Sequence, residues 1–86
     1  MDIRIDDHAA ERARERGTDE AEIRDVIETG AVIPAKRGRL AKSKVYDFNK
    51  TRLDKHYEQK RVEVYYVVEG DDAVIVTVYV FYGKWE

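Results

Sequence analysis

Apolar residues along this chain change their spacing part-way. Up to Gly30 they fall at helical intervals: Ala9, Ala10 and Ala13, then Ile23, Val26 and Ile27 at i, i+3 and i+4, a stripe one helix face wide. In the C-terminal half they alternate with polar residues at the period of two that marks a strand. The spacing predicts a helix over residues 8–16, with Asp6 or Asp7 as its cap and Gly17 at its end. Asp19 and Glu22 are spaced as a capping box for a second helix ending at Gly30. Ile3 and Ile5 alternate too briefly for more than a stub of strand or an apolar plug. Pro34 and residues 35–43 break the periodicity and read as a basic loop. A short strand follows over 44–48. The polar stretch 49–55 is a connection, either a hairpin tip or a helical turn. Residues 57–69 form a long strand with Val62, Val64, Tyr66 and Val68 on one face. Gly70, Asp71 and Asp72 supply a turn, and a strand over 73–82 returns. On it Val74, Val76, Val78 and Val80 share one face, and Ile75, Thr77, Tyr79 and Phe81 the other.

The expected architecture is α+β: two N-terminal helices packed on one face of a three-stranded antiparallel sheet, in the order ααβββ, as a single domain over residues 1–86. The valine faces are the seat for the helices. The opposite face carries Arg61, Glu63, Tyr65, Thr77 and Tyr79, a mixture that an antiparallel sheet can leave wet without any function. It is also the composition of a binding surface. A chain of 86 residues buries one thin core.

Composition narrows the function classes. Charged residues make up 40% of the chain, well above the usual quarter. No apolar run approaches the roughly 20 residues of a membrane span, and the charged N-terminus is no signal peptide. A cytoplasmic protein with no membrane partner is expected. The absence of cysteine excludes a disulfide framework, a thiolate zinc site and a cysteine nucleophile. The two histidines, His8 and His56, have no metal-ligand spacing, so neither a metal nor a cofactor is expected.

The net charge of −2 hides an asymmetry. Residues 35–61 hold ten Lys and Arg against three acids, while the rest of the chain holds six against fifteen. A basic segment of this kind fits either a polyanion-binding surface or a solvated, lysine-rich strand edge. His8, Arg12 and Arg16 recur every fourth residue and project from one helix face. A neutral imidazole beside two guanidinium groups can move a proton and hold a phosphate. The same stripe also fits an ordinary solvated helix face. Trp85 closes the edge of the core or covers a partner.

Residues 8–17 read H-A-A-E-R-A-R-E-R-G, followed by a capped helix that ends in Ile-Glu-Thr-Gly, a basic middle and a closing V-I-V-T-V-Y strand. This resembles the small prokaryotic domain-of-unknown-function family 4258, whose members open with H-A-x-x-R-x-x-x-R-G and finish on such a strand. The resemblance covers nearly the whole chain. Thr18 departs from it, standing where the family usually has an aliphatic residue that would staple onto Ile23. The family is in turn similar to toxin ribonucleases of the BrnT and RelE type, which implies a metal-independent, RNA-cleaving toxin or an RNA-binding relative. Carried over, His8, Arg12 and Arg16 match the helix motif and Tyr79 the closing strand.

In the leading expectation a ribose 2′-hydroxyl attacks the adjacent phosphate. His8 transfers the proton, Arg12 and Arg61 stabilise phosphate charge, and Tyr79 donates a hydroxyl. Arg16, Lys36, Arg37, Arg39 and Lys44 bind the RNA backbone, and an antitoxin-like protein is the expected partner. The alternative is a non-catalytic protein-interaction module, as a homodimer or with another protein, using the tyrosine-rich sheet face.

Overall fold

The structure is a computed structural model describing residues 2–85. Two helices and five strands follow in the order β1 (Asp2–Arg4), α1 (Asp7–Arg16), α2 (Glu20–Thr29), β2 (Ala31–Ile33), β3 (Leu40–Arg52), β4 (Lys55–Glu69) and β5 (Asp72–Gly83). The strands form one sheet in the order β1-β5-β4-β3-β2. This corrects the expected three-stranded antiparallel sheet. β1 pairs parallel with β5, from Asp2 opposite Asp72 to Arg4 opposite Val74, and β2 pairs antiparallel with β3. Each added strand is three residues long, too short for alternation to declare it. Their pairing is decided by contacts distant in sequence.

Both helices begin and end on local chemistry. Asp6 caps α1 by accepting from the Ala9 amide at 2.7 Å, and Asp19 caps α2 by accepting from the Glu22 amide at 2.9 Å; such caps contribute about 1 kcal/mol each. Gly17 ends α1 at φ 100°, the left-handed conformation that glycine adopts without a Cβ clash. The sheet then binds the carbonyls that α1 leaves open. Arg52 Nη2 donates to Glu15 O at 2.9 Å, Tyr82 OH to Arg16 O at 2.7 Å, and Lys60 Nζ to Gly17 O at 2.9 Å. Thr18 is buried and donates to Glu22 at 2.7 Å, so a hydrogen bond stands where the staple contact is missing.

One core joins Ala9, Ala13, Ile23 and Val26 of the helices to Val62, Val64 and Val78 of the sheet. Two features overturn the expected valine faces. A register shift lets Tyr65 pair with Thr77 and Tyr66 with Ile75, leaving Val76 without a partner. That extra residue changes the parity of β5. Ala73 and Ile75 face the core before the bulge, and Val78 after it; Val76 is exposed. Val68, near the end of β4, is exposed as well.

β3 begins four residues before the expected strand, inside the expected loop, and runs past its end. Two of its even positions turn cations toward the helices: Lys42 Nζ donates to Ile27 O at 2.7 Å, and Lys44 Nζ to Asp25 Oδ2 at 2.6 Å, ahead of Tyr46, which packs on the core. Lysines at two helix-facing positions interrupt the apolar alternation. The connection to β4 is a hairpin tip at Leu53 and Asp54, both at positive φ, as a tight two-residue hairpin requires. Among the described residues no helix is long and apolar enough to cross a membrane.

Candidate nucleic-acid interface

The helices cover one face of the sheet and leave the other open. At its centre the register aligns three residues from each of three strands. Ala41, Ser43 and Val45 of β3 lie opposite Tyr65, Glu63 and Arg61 of β4, which lie opposite Thr77, Tyr79 and Phe81 of β5. Neighbours across strands stand about 5 Å apart at Cβ, so the nine side chains form one array with Glu63 in the middle, in which Ala41 and Ser43 are buried between their neighbours.

Rings dominate the β5 side. Tyr65 meets Tyr79 edge to face at 5.7 Å between centroids, and Tyr79 stacks on Phe81 at 6.4 Å. Tyr79 and Phe81 remain 43% and 47% exposed, which leaves ring surface for a ligand. Arg16 closes the border: Nη1 donates to Val78 O at 2.6 Å while the guanidinium lies 5.0 Å from the Tyr79 ring centre.

Glu63 is the acidic member of the array. Arg61 Nε donates to its Oε2 at 3.1 Å and Tyr65 OH to its Oε1 at 3.0 Å. Desolvation, followed by the hydrogen bond to Glu63, pushes the Tyr65 hydroxyl above its ordinary value; the tyrosine is therefore a neutral donor at physiological pH.

The loop from β2 to β3 overhangs this face. Lys36 O accepts from the Arg39 amide at 3.2 Å across Arg37 and Gly38, whose φ values are 62° and 72°. Two consecutive left-handed residues make a tight primed turn. A non-glycine residue is uncommon there, and Arg37 occupies the position. A hollow of about 380 Å³ lies between this loop and the sheet, lined by Lys36, Arg37, Arg39, Tyr65, Thr77 and Tyr79 among others. A second hollow of about 320 Å³ is lined by Arg61, Glu63, Phe81 and Trp85. Trp85 is fixed by its amide, which donates to Gln59 Oε1 at 2.6 Å.

The residues singled out in the sequence divide into three groups. Lys36, Arg37, Arg39, Tyr79 and Arg61 converge on the open face, with Arg16 at its border. His8 and Arg12 are exposed on α1 and line neither hollow. Lys44 lies on the helix-covered face, held by Asp25. Tyr65, Thr77 and Glu63 were not singled out for chemistry. Alternation alone had put them on one face with Arg61 and Tyr79, and that shared face was the available signal. Among the described residues no group of three or more His, Asp or Glu side chains could hold a metal ion.

Residues 5–80 match the family model described as "Domain of unknown function (DUF4258)". The chain belongs to that family. No curated protein and no solved structure matches it. As a member of DUF4258 the protein inherits no assigned activity, so a functional reading has to come from the open face.

Proposed function

We propose that this DUF4258 protein binds single-stranded RNA across its open sheet face. The observation that carries the reading is the hollow in which Lys36, Arg37 and Arg39 face the exposed ring of Tyr79. Cations that pair with phosphates, set beside rings that stack on bases, meet the two requirements of single-strand recognition. An extended strand suits this surface better than a duplex, because an unpaired base exposes the π-face that Tyr79 and Phe81 can take.

Fluorescence anisotropy with labelled single-stranded RNA tests the reading. Tyr79→Ala removes a stacking platform worth about 1–3 kcal/mol, so affinity should fall about 5- to 150-fold. Arg37→Ala plus Arg39→Ala should weaken binding to a similar degree. Lys44→Ala, on the covered face, should leave it unchanged. Wild-type protein that fails to bind RNA at low salt overturns the proposal.

Exposed Val76 and Phe81, together with a β5 edge that no described strand pairs beyond Val74, favour a second reading. In it the same face meets a protein, either an antitoxin-like partner or a second copy of the chain. The two readings separate by their response to salt.

A further inference from the structure

Glu63 lies at the centre of the uncovered face. Although the face it occupies is uncovered by helices, its side chain is only 15% exposed. Both carboxylate oxygens are held, one by Arg61 and one by Tyr65. It borders the hollow shared with Phe81 and Trp85, and its strand neighbour is Tyr79, which lines the other hollow. A strand of RNA crossing from one hollow to the other would pass over this carboxylate. An acid at that point repels a phosphate backbone, so a surface evolved for affinity alone gains nothing from it. A carboxylate is useful there if it takes up a proton.

We propose that Glu63 is the general base of a metal-independent RNA cleavage carried out on the open face, a proposal that rests on the RNA-binding reading above. Each oxygen of Glu63 accepts one hydrogen bond in the resting protein and keeps a second lone pair for a ribose 2′-hydroxyl. The carboxylate takes the 2′-hydroxyl proton as the 2′-oxygen forms its bond to the adjacent phosphorus. The bond from phosphorus to the 5′-oxygen of the next nucleotide breaks, and that oxygen takes the Tyr79 hydroxyl proton. The products are a 2′,3′-cyclic phosphate and a 5′-hydroxyl. The carboxylic acid of Glu63 then returns its proton to the Tyr79 phenolate, which restores both groups, so no co-reactant is consumed. Arg61 spends Nε on Glu63 and can turn its terminal amino groups toward the pentacoordinate phosphate, where charge develops.

The exposed imidazole of His8 is not needed in this scheme, which gives the test its contrast. A pool of single-stranded oligoribonucleotides of randomised sequence is incubated with wild-type protein, Glu63→Gln, Tyr79→Phe and His8→Ala in the presence of chelator. Binding and strand scission are measured on the same samples. Wild type should yield 2′,3′-cyclic phosphate ends. Glu63→Gln should bind RNA within about threefold of wild type yet cut about 10²- to 10³-fold more slowly, the range typical of a lost acid–base group. Tyr79→Phe should cut more slowly, His8→Ala should match wild type, and a fully 2′-O-methylated pool should be bound but not cut. Should Glu63→Gln fail to fold by circular dichroism, Glu63→Asp keeps the charge and withdraws it by one methylene; it should bind and cut at least about tenfold more slowly. Cleavage by a folded Glu63 variant at the wild-type rate overturns the proposal. RNA that is bound by wild type but stays intact overturns the cleavage while leaving the binding reading standing. RNA that is not bound overturns both.

Discussion

Asp25 gathers three hydrogen-bond donors on the covered side: Thr29, Lys44 and Tyr46. Its Oδ2 accepts from Lys44 Nζ and from Tyr46 OH, each at 2.6 Å. The hydrogen bond from Lys44, then that from Tyr46, lowers its carboxyl from the ordinary 3.8 to about 2. Desolvation and the same bond to Asp25 push the Tyr46 hydroxyl well above its ordinary value. A carboxyl depressed in the folded state adds stability above its unfolded value, and that stability is lost as pH falls through the folded one. Thermal melts of wild type and Asp25→Asn should therefore differ most near neutral pH and converge as pH drops from about 4 to about 2. Unchanged separation across that range would remove Asp25 as the linked group. The sequence offered no sign of this cluster. Lys44 read as one more cation of a basic run, and only the pairing of β3 with β4 turns it toward α2.

At the scale of the element, the helices were legible because their signals are local. Asp6, Gly17, Asp19 and Gly30 sit where caps and stops belong, and each acts as one in the structure. The long strands β4 and β5 were legible as strands, and β3 only in its middle; the faces of β5 were not legible, because one unpaired residue reverses every side chain beyond it. Val76 and Val78 show the consequence. Both belong to one valine series in the sequence, yet Val78 is fully buried while Val76 is 37% exposed. Val78→Ala should cost about 2 kcal/mol, from two buried carbons and the cavity they leave. Val76→Ala should stay within about 0.5 kcal/mol of wild type. Urea denaturation of the two variants checks the assignment, and equal losses would contradict it. Of the short strands, β1 was legible only as a stub of strand or an apolar plug, and β2 not at all. Three residues carry no period, and what fixes Ile3 is Ala73, seventy positions away.

Taken whole, the molecule sorts its basic middle segment onto opposite sides. Lys42, Lys44 and Lys60 are consumed by the helices, whereas Lys36, Arg37 and Arg39 overhang the open face. Three of the segment's ten cations thus form a short cationic rim. Binding through three phosphate contacts predicts that log K falls with log salt at a slope of about −2, at roughly 0.7 per contact on a single strand. Loss of Arg37 should make the slope shallower by about 0.7. A titration in potassium chloride measures this, and association that ignores salt would point instead to a protein partner. The tyrosines and arginines of the site were legible as residues. Their convergence was not, since it depends on a loop folding over a sheet face. The parallel pairing of β1 with β5 bears on biosynthesis. The slot for Ile3 is built by a strand that begins at Asp72, and closing so long a stretch of chain carries a large entropic cost. Until Ile75 and Val78 leave the ribosome, the apolar sides of both helices have no finished sheet to cover them. A chain in that state keeps apolar surface exposed until its last strand pairs, the condition that favours aggregation over folding.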